Sequence, residues 1–248
     1  MPLRRLAVLA AAFLACAHGP TPKERQSAEI HHDLGVDALR AGRAQEALKE
    51  FDEAIAINER FPEAHLGRGL VLELAFGRTD EAEKAYRRAI ALRPGYSEAH
   101  NDLGQLLAKS GRYPEAVAEF DAALGNMLYK EPWVARCNKG VALWRMGRTD
   151  EGYAELHACL ASAPRFCDGR RELGRALLHD GRTKEAVDEL GTYARFCDKR
   201  ADAHWQLGLA QMKAGDVAGA RESFRRCTEL GEGTNEGEEC RKSLALLQ

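Results

Sequence analysis

The sequence predicts an all-α fold assembled from tandem repeats, and three observations predict it. Ala, Leu, Glu and Arg are abundant in the 248 residues while Val and Ile are sparse, which favours helix over sheet. A Gly-Arg pair recurs at Gly42-Arg43, Gly77-Arg78, Gly111-Arg112, Gly147-Arg148 and Gly181-Arg182, and Gly215-Asp216 continues the series. The steps between these glycines are 35, 34, 36, 34 and 34 residues. Around each of them the same residue types stand at the same offsets, which is the signature of a stacked repeat.

Taken in chain order, the first element is a leader. Arg4 and Arg5 precede an uncharged, Leu- and Ala-rich run over residues 6–15, the layout of a secretory signal. The run is shorter than the roughly 20 apolar residues that a membrane-spanning helix needs. Phe13-Leu14-Ala15-Cys16 resembles the lipobox of bacterial lipoproteins. That resemblance implies a diacylglycerol on Cys16, which becomes the mature N-terminus. Two or more chains would make the anchor firm, since each buried methylene adds about 0.8 kcal/mol. Ala17, where inner-membrane retention would call for aspartate, implies sorting to the outer membrane, on its periplasmic face. The other reading is an ordinary signal peptide cut near Ala17, leaving a soluble periplasmic protein. The expected layout is a signal peptide over 1–15, a polar tether with two prolines over 16–27, six repeats over 28–234 and a capping helix over 235–248.

The repeats follow in order. The first has Gly35, then Gly42, Ala47 and Phe51. The second has Gly69, one residue further from its turn than in the other copies, then Gly77, Ala82 and Tyr86. The third has Gly104, Gly111, Ala116 and Phe120. The fourth has Gly140, Gly147, Gly152 and Leu156. The fifth has Gly174, Gly181, Ala186 and Leu190, and the sixth Gly208, Gly215, Ala220 and Phe224. With Leu34, Leu103, Leu173 and Leu207 before the first glycine, and with Pro94 and Pro164 near the repeat ends, this pattern resembles the tetratricopeptide repeat. The resemblance implies two antiparallel helices, A and B, per repeat. Six such hairpins would stack into a right-handed superhelix, because no single hairpin buries its apolar face alone. The glycine of helix A and the small residue of helix B would allow close approach, and the bulky residue would fill the space between hairpins. Glycine at each turn suits a left-handed backbone. Thr79 and Thr149 are expected to cap their B helices.

Composition narrows the function. The formal net charge is −2 and no basic patch stands out, so nucleic acid is not an expected partner. GxSxG, P-loop and Rossmann glycine patterns are missing, and Gly231-Glu232-Gly233 is acidic and would repel phosphate. An enzyme is therefore not expected, nor a cofactor. His31, His65, His100 and His204 each stand four residues before a helix-A glycine. Copies a whole repeat apart do not converge on one ion, so packing rather than metal binding is expected of them. Seven cysteines suit an oxidising compartment. With lipid on Cys16, six remain. Cys227 and Cys240 flank the 231–234 turn almost symmetrically, as an antiparallel hairpin disulfide would. Cys167 and Cys197 are symmetric about the fifth turn. Cys137 and Cys159 are symmetric about the fourth, although Cys137 occupies a position expected to face the groove. For each cysteine the alternative is a buried small apolar residue, and connectivity stays open.

The A helices of such a stack form a concave face. The positions that line it in this repeat family carry Val36 and Leu39 in the first copy, Leu66, Leu70 and Leu74 in the second, and Val134, Val141, Trp144 and Arg145 in the fourth. The fifth and sixth supply Arg171, Arg175, Leu178, Trp205, Leu209 and Met212, while the third is polar, with Asn101, Gln105 and Lys109. Exposed apolar residues in such number mark a partner site, suited to an amphipathic helix or extended segment. Some of them would instead pack between neighbouring A helices.

A lipobox followed by six repeats is similar to the pilotins of type IV pilus machines. The segment 129–147, YKEPWVARCNKGVALWRMG, and the doubled RFCD at 165–168 and 195–198 resemble the Tgl-type members in particular. The resemblance implies an outer-membrane lipoprotein that binds secretin subunits and promotes their insertion and assembly into the multimeric pore through which the pilus passes. A general cell-envelope scaffold or adaptor, serving cell-wall or outer-membrane protein assembly, is the alternative.

Overall fold

The computed structural model describes residues 19–247. The leader, Cys16 and the start of the tether lie outside them. Among the described residues there are thirteen helices and no strand. They are α1 (Pro22–Arg40), α2 (Ala44–Ile57), α3 (Pro62–Leu74), α4 (Thr79–Leu92), α5 (Ser97–Lys109), α6 (Tyr113–Leu124), α7 (Pro132–Arg145), α8 (Thr149–Ser162), α9 (Cys167–His179), α10 (Thr183–Phe196), α11 (Ala201–Lys213), α12 (Val217–Leu230) and α13 (Asn235–Ala245). The chain divides into two compact units between Leu106 and Leu107, within α5.

Residues 22–27, expected in the tether, are helical. The reason is a capping box at Thr21. Its hydroxyl accepts from Glu24 N–H at 3.2 Å, and the Glu24 carboxylate accepts from Thr21 N–H at 2.7 Å. Pro22 at the first helical position suits that start.

In the first unit α1 packs on α2, α2 on α3 and α3 on α4, and the A helices α1 and α3 also touch. Phe51, fully buried, shows what the glycines do. A Cβ added at Gly35 would come within 2.9 Å of its ring, and one at Gly67 within 2.4 Å. The glycines therefore make room for a helix-B side chain, on its own hairpin and on the next one. Gly69 does the same for Tyr86. Tyr86 is fully buried up to its hydroxyl, which donates to Glu73 at 2.9 Å.

In the second unit each of α7 to α13 packs on the next, and α7, α9, α11 and α13 also touch in succession. Gly174 accommodates Leu190, and Gly208 accommodates Phe224. In the fourth hairpin the approach is between backbones, with the Gly152 carbonyl 2.9 Å from where a Gly140 Cβ would stand. Disulfides join Cys137 to Cys159, Cys167 to Cys197 and Cys227 to Cys240, with Cα separations of 5.4, 6.1 and 5.9 Å, all ordinary for the bond. The last fastens α13 to α12.

Six turn glycines, from Gly42 to Gly215, have φ between 64° and 80°, so the left-handed turn is realised at every copy. The capping that follows differs from expectation. Thr79 and Thr149 are the first helical residues, and the capping positions fall to Arg78 and Arg148 without a side-chain cap. The order of residues explains this. An arginine directly after the glycine reaches the carboxylate three residues on: Arg43–Glu46, Arg78–Glu81, Arg112–Glu115, Arg148–Glu151 and Arg182–Glu185, at 2.6 to 2.7 Å. These arginines hold the Glu81, Glu151 and Glu185 carboxyls below the usual range through their hydrogen bonds. In the sixth hairpin Asp216 replaces arginine and caps the helix itself, accepting from Gly219 N–H at 2.9 Å.

Candidate protein-binding surface

The helix-A histidines serve the turns between hairpins. Nε2 of His65, His100 and His204 lies 2.9 to 3.2 Å from the carbonyl six residues earlier, that of Glu59, Pro94 and Asp198. Arg170, at the same position in the fifth copy, donates to the Pro164 carbonyl at 2.6 Å. In four of the six copies the residue at this position thus bonds a loop carbonyl. Burial pushes the His65 pKa down, with the bond to the Glu59 carbonyl opposing it. His31 instead meets the Glu50 carboxylate at 2.7 Å.

In the first unit, Val36 and Leu39 are half-buried against a cluster of Ala38, Ala47, Phe51 and Val71. Leu70 is half-buried and Leu74 is 66% exposed. Leu66 is only 8% exposed and does not belong to an open surface. Cys137 and Asn101 are also buried, contrary to their expected place on the groove. All three stand three residues before a helix-A glycine. Residues at i and i+3 share a helix face, so in these three copies the position turns inward with the glycine toward neighbouring helices, whereas His32, Arg171 and Trp205 at the same place are half-buried. That inward turn is also what brings Cys137 to Cys159.

In the second unit the expected residues come together more closely. Val141, Trp144 and Leu178 are half-buried and pack on a core that includes Leu156, Leu160, Leu173, Ala176 and Leu177. Leu178 also touches the next core, around Leu190 and Tyr193, and so links the two layers. Val134, Trp205 and Leu209 are half-buried, and Met212 is 38% exposed. Lys213 donates to the Leu178 carbonyl at 2.7 Å, tying the end of α11 to the end of α9.

Between α7 and α9 lies a cleft of about 90 Å³, lined by Val141, Trp144, Arg145, Leu156, Glu172, Arg175, Ala176 and His179. Small-molecule and cofactor pockets run to roughly 300–1,000 Å³, so this cleft has room for one side chain rather than a cofactor. Its wall is fixed by Asp180. One carboxylate oxygen accepts from Trp144 Nε1 at 2.9 Å and from the Tyr153 hydroxyl at 2.9 Å, and the other meets His179 Nδ1 at 2.9 Å. Burial pushes the Asp180 carboxyl up, but the hydrogen bonds from His179, Trp144 and Tyr153 outweigh it and hold the group below the usual carboxylate range. Burial and the bond to Asp180 push Tyr153 up to about 12. The His179 ring meets Trp144 edge-on at 5.0 Å, and the Arg145 guanidinium lies 4.9 Å over the indole. The indole is thereby held on three sides. Of the residues around this cleft, sequence reasoning singled out Val141, Trp144, Arg145 and Arg175 and missed Asp180 and Tyr153. The available signal was that only the fifth copy has an acid directly before its turn glycine.

The repeated hairpin defines a helical repeat protein with a half-exposed apolar A-helix surface. The chain belongs to the tetratricopeptide-repeat family, whose models match residues 32–97, 72–126, 137–200 and 202–230. No curated protein matches it by sequence. Among solved structures it is similar to PilW, a widely conserved type IV pilus biogenesis factor, at 23% identity over 86% of this chain and 98% of that one, with a TM-score of 0.78. It is similar to PilF of Pseudomonas aeruginosa at 19% identity over 89% and 99% of the two chains, with a TM-score of 0.72. YrrB, a repeat protein with an unusual peptide-binding site, aligns at 18% identity over 77% and 97%, with a TM-score of 0.51. At these identities the likeness is one of fold.

Proposed function

We propose that this protein is a lipid-anchored outer-membrane pilotin, a non-enzymatic binding protein. It captures secretin subunits through an apolar segment and promotes their insertion and assembly into a multimer for type IV pilus biogenesis. The observation that carries the reading is the fold likeness to two type IV pilus proteins over nearly their whole length. The half-exposed apolar residues of α7, α9 and α11 support it, since they suit the shielding of a hydrophobic segment before it meets the bilayer. Lipid on Cys16 would raise the local concentration of the captured subunit at its target membrane. Because helix begins at Pro22, six residues after Cys16, the first hairpin would lie within about 20 Å of the anchor.

Deletion of the gene should abolish heat-stable secretin multimers, and Cys16→Ala should end palmitate labelling and misplace those multimers. Met212→Glu, at an exposed site, should weaken secretin capture at least about tenfold with helical circular dichroism intact. Normal multimers in the deletion strain would overturn the secretin role. Persistent membrane attachment of an unlabelled Cys16→Ala protein would overturn the anchor.

A further inference from the structure

We infer that the α7–α9 cleft is a residue-specific pocket that reads an apolar side chain next to an acidic one, Asp or Glu, on the captured segment. This rests on the reading that the A-helix surface binds a polypeptide. The apolar half of the recognition comes from Val141, Trp144 and Ala176, which line a space the size of one side chain. The acidic half follows from the charges at its mouth. Arg145 has no carboxylate within ion-pair distance among the described residues, and its guanidinium rests on the Trp144 face. Arg175 reaches Glu172 only at 3.6 Å, and the same Glu172 oxygen is already taken at 3.0 Å by Arg171. Asp180 is engaged by Trp144, Tyr153 and His179. The acids around the cleft are thus committed, while Arg145 is uncommitted and Arg175 half-committed. Both arginines are exposed at its rim, so a carboxylate meets two planar donors there without stripping either of solvent beforehand.

The carboxylate belongs to a side chain rather than to a chain end. Apolar residues continue past the cleft on the next A helix, with Leu209 and Met212 on α11, so a bound segment runs on beyond it.

The test is fluorescence anisotropy of the full chain with three fluorescein-labelled, leucine-rich peptides. The first carries Asp and Glu side chains and an amidated end, the second the matching Asn and Gln and an amidated end, and the third the same amides with a free C-terminal carboxylate. The first should bind about tenfold more tightly than the second, as expected for a hydrogen bond to a charged group. Arg145→Met with Arg175→Met should erase that preference, so that the first and second peptides bind equally, with the helical circular dichroism intact. Equal binding of the first two peptides, or a preference that survives in the double variant, overturns the pocket assignment and leaves polypeptide binding standing. The third peptide binding as tightly as the first overturns the side-chain assignment in favour of a chain terminus. Binding of none of the three overturns both the pocket and the reading it rests on.

Discussion

Asp180 holds together the part of the surface with the most defined chemistry. It collects an indole N–H, a phenol and an imidazole on two oxygens, and it must be ionised to accept from all of them. Asp180→Ala removes both oxygens, leaving Trp144 Nε1 and the Tyr153 hydroxyl without their acceptor. The expected loss is about 1–2 kcal/mol in denaturant unfolding, with a shift in Trp144 emission. The pH dependence has a definite sign. The folded carboxyl titrates below its ordinary 3.8, so its contribution is complete above about pH 4 and is lost as pH falls below that value. The stability difference between the wild type and Asp180→Ala should be constant at higher pH and shrink only as pH falls through about 4 and below, and an equal difference at about pH 3 and about pH 6 would contradict the assignment. That Trp144 is a candidate surface residue was legible from its place four residues after Gly140. What fixes it was not, because Asp180 comes from the next hairpin and proximity across 36 residues leaves no mark on spacing. Leu66, Asn101 and Cys137 show the opposite failure. Their register was read correctly and their face wrongly, since helical periodicity says which residues align but not how wide the inward stripe is.

The first, second, fifth and sixth hairpins are held by a bulky helix-B side chain lodged against a helix-A glycine, and this predicts opposite outcomes for one chemical change. In α11, a Cβ at Gly208 would stand 2.6 Å from the Phe224 ring, which is fully buried and has nowhere to move. Gly208→Ala gains up to about 1 kcal/mol of helix propensity but overpacks the core by about 1–3 kcal/mol, so it should destabilise. In α10, a Cβ at Gly191 would meet nothing nearer than Leu207 Cδ1 at 4.0 Å. Gly191→Ala should therefore stabilise by about 0.5–1 kcal/mol. Thermal melts of the two variants check the pair, and movement in the same direction would refute the packing argument. Helices of this kind were largely legible, because turn glycine, small residue and bulky residue recur at fixed offsets. The start of α1 was not, since it depends on Glu24 reaching back to Thr21, and a proline-containing polar stretch otherwise reads as linker.

Stability along a stack of hairpins is a sum of local terms and nearest-neighbour interfaces, so it need not be uniform along the chain. Here it is unevenly reinforced. All three disulfides lie between Cys137 and Cys240, one in the fourth hairpin, one in the fifth and one joining the sixth to α13. The described residues of the first unit contain no cysteine. Each bond closes a loop of 13 to 30 residues, for which chain entropy gives about 2–4 kcal/mol. Reduction should then leave the first unit as protected as before and loosen the second. Helix α13 should respond most, since beyond the Cys227–Cys240 bond only α11 and α12 hold it among the described helices. Hydrogen exchange with and without dithiothreitol resolves this segment by segment. The expected pattern is unchanged protection in α1 to α4, faster exchange through α7 to α12, and near-complete loss of protection in α13. Uniform loosening of all thirteen helices would mean that the chain unfolds as one cooperative block, and the additive picture would fail. The consequence for binding is direct, because Val141, Trp144 and Leu178 stand on the cross-linked helices. A reduced protein should lose affinity for an apolar peptide while residues 22–92 keep their structure.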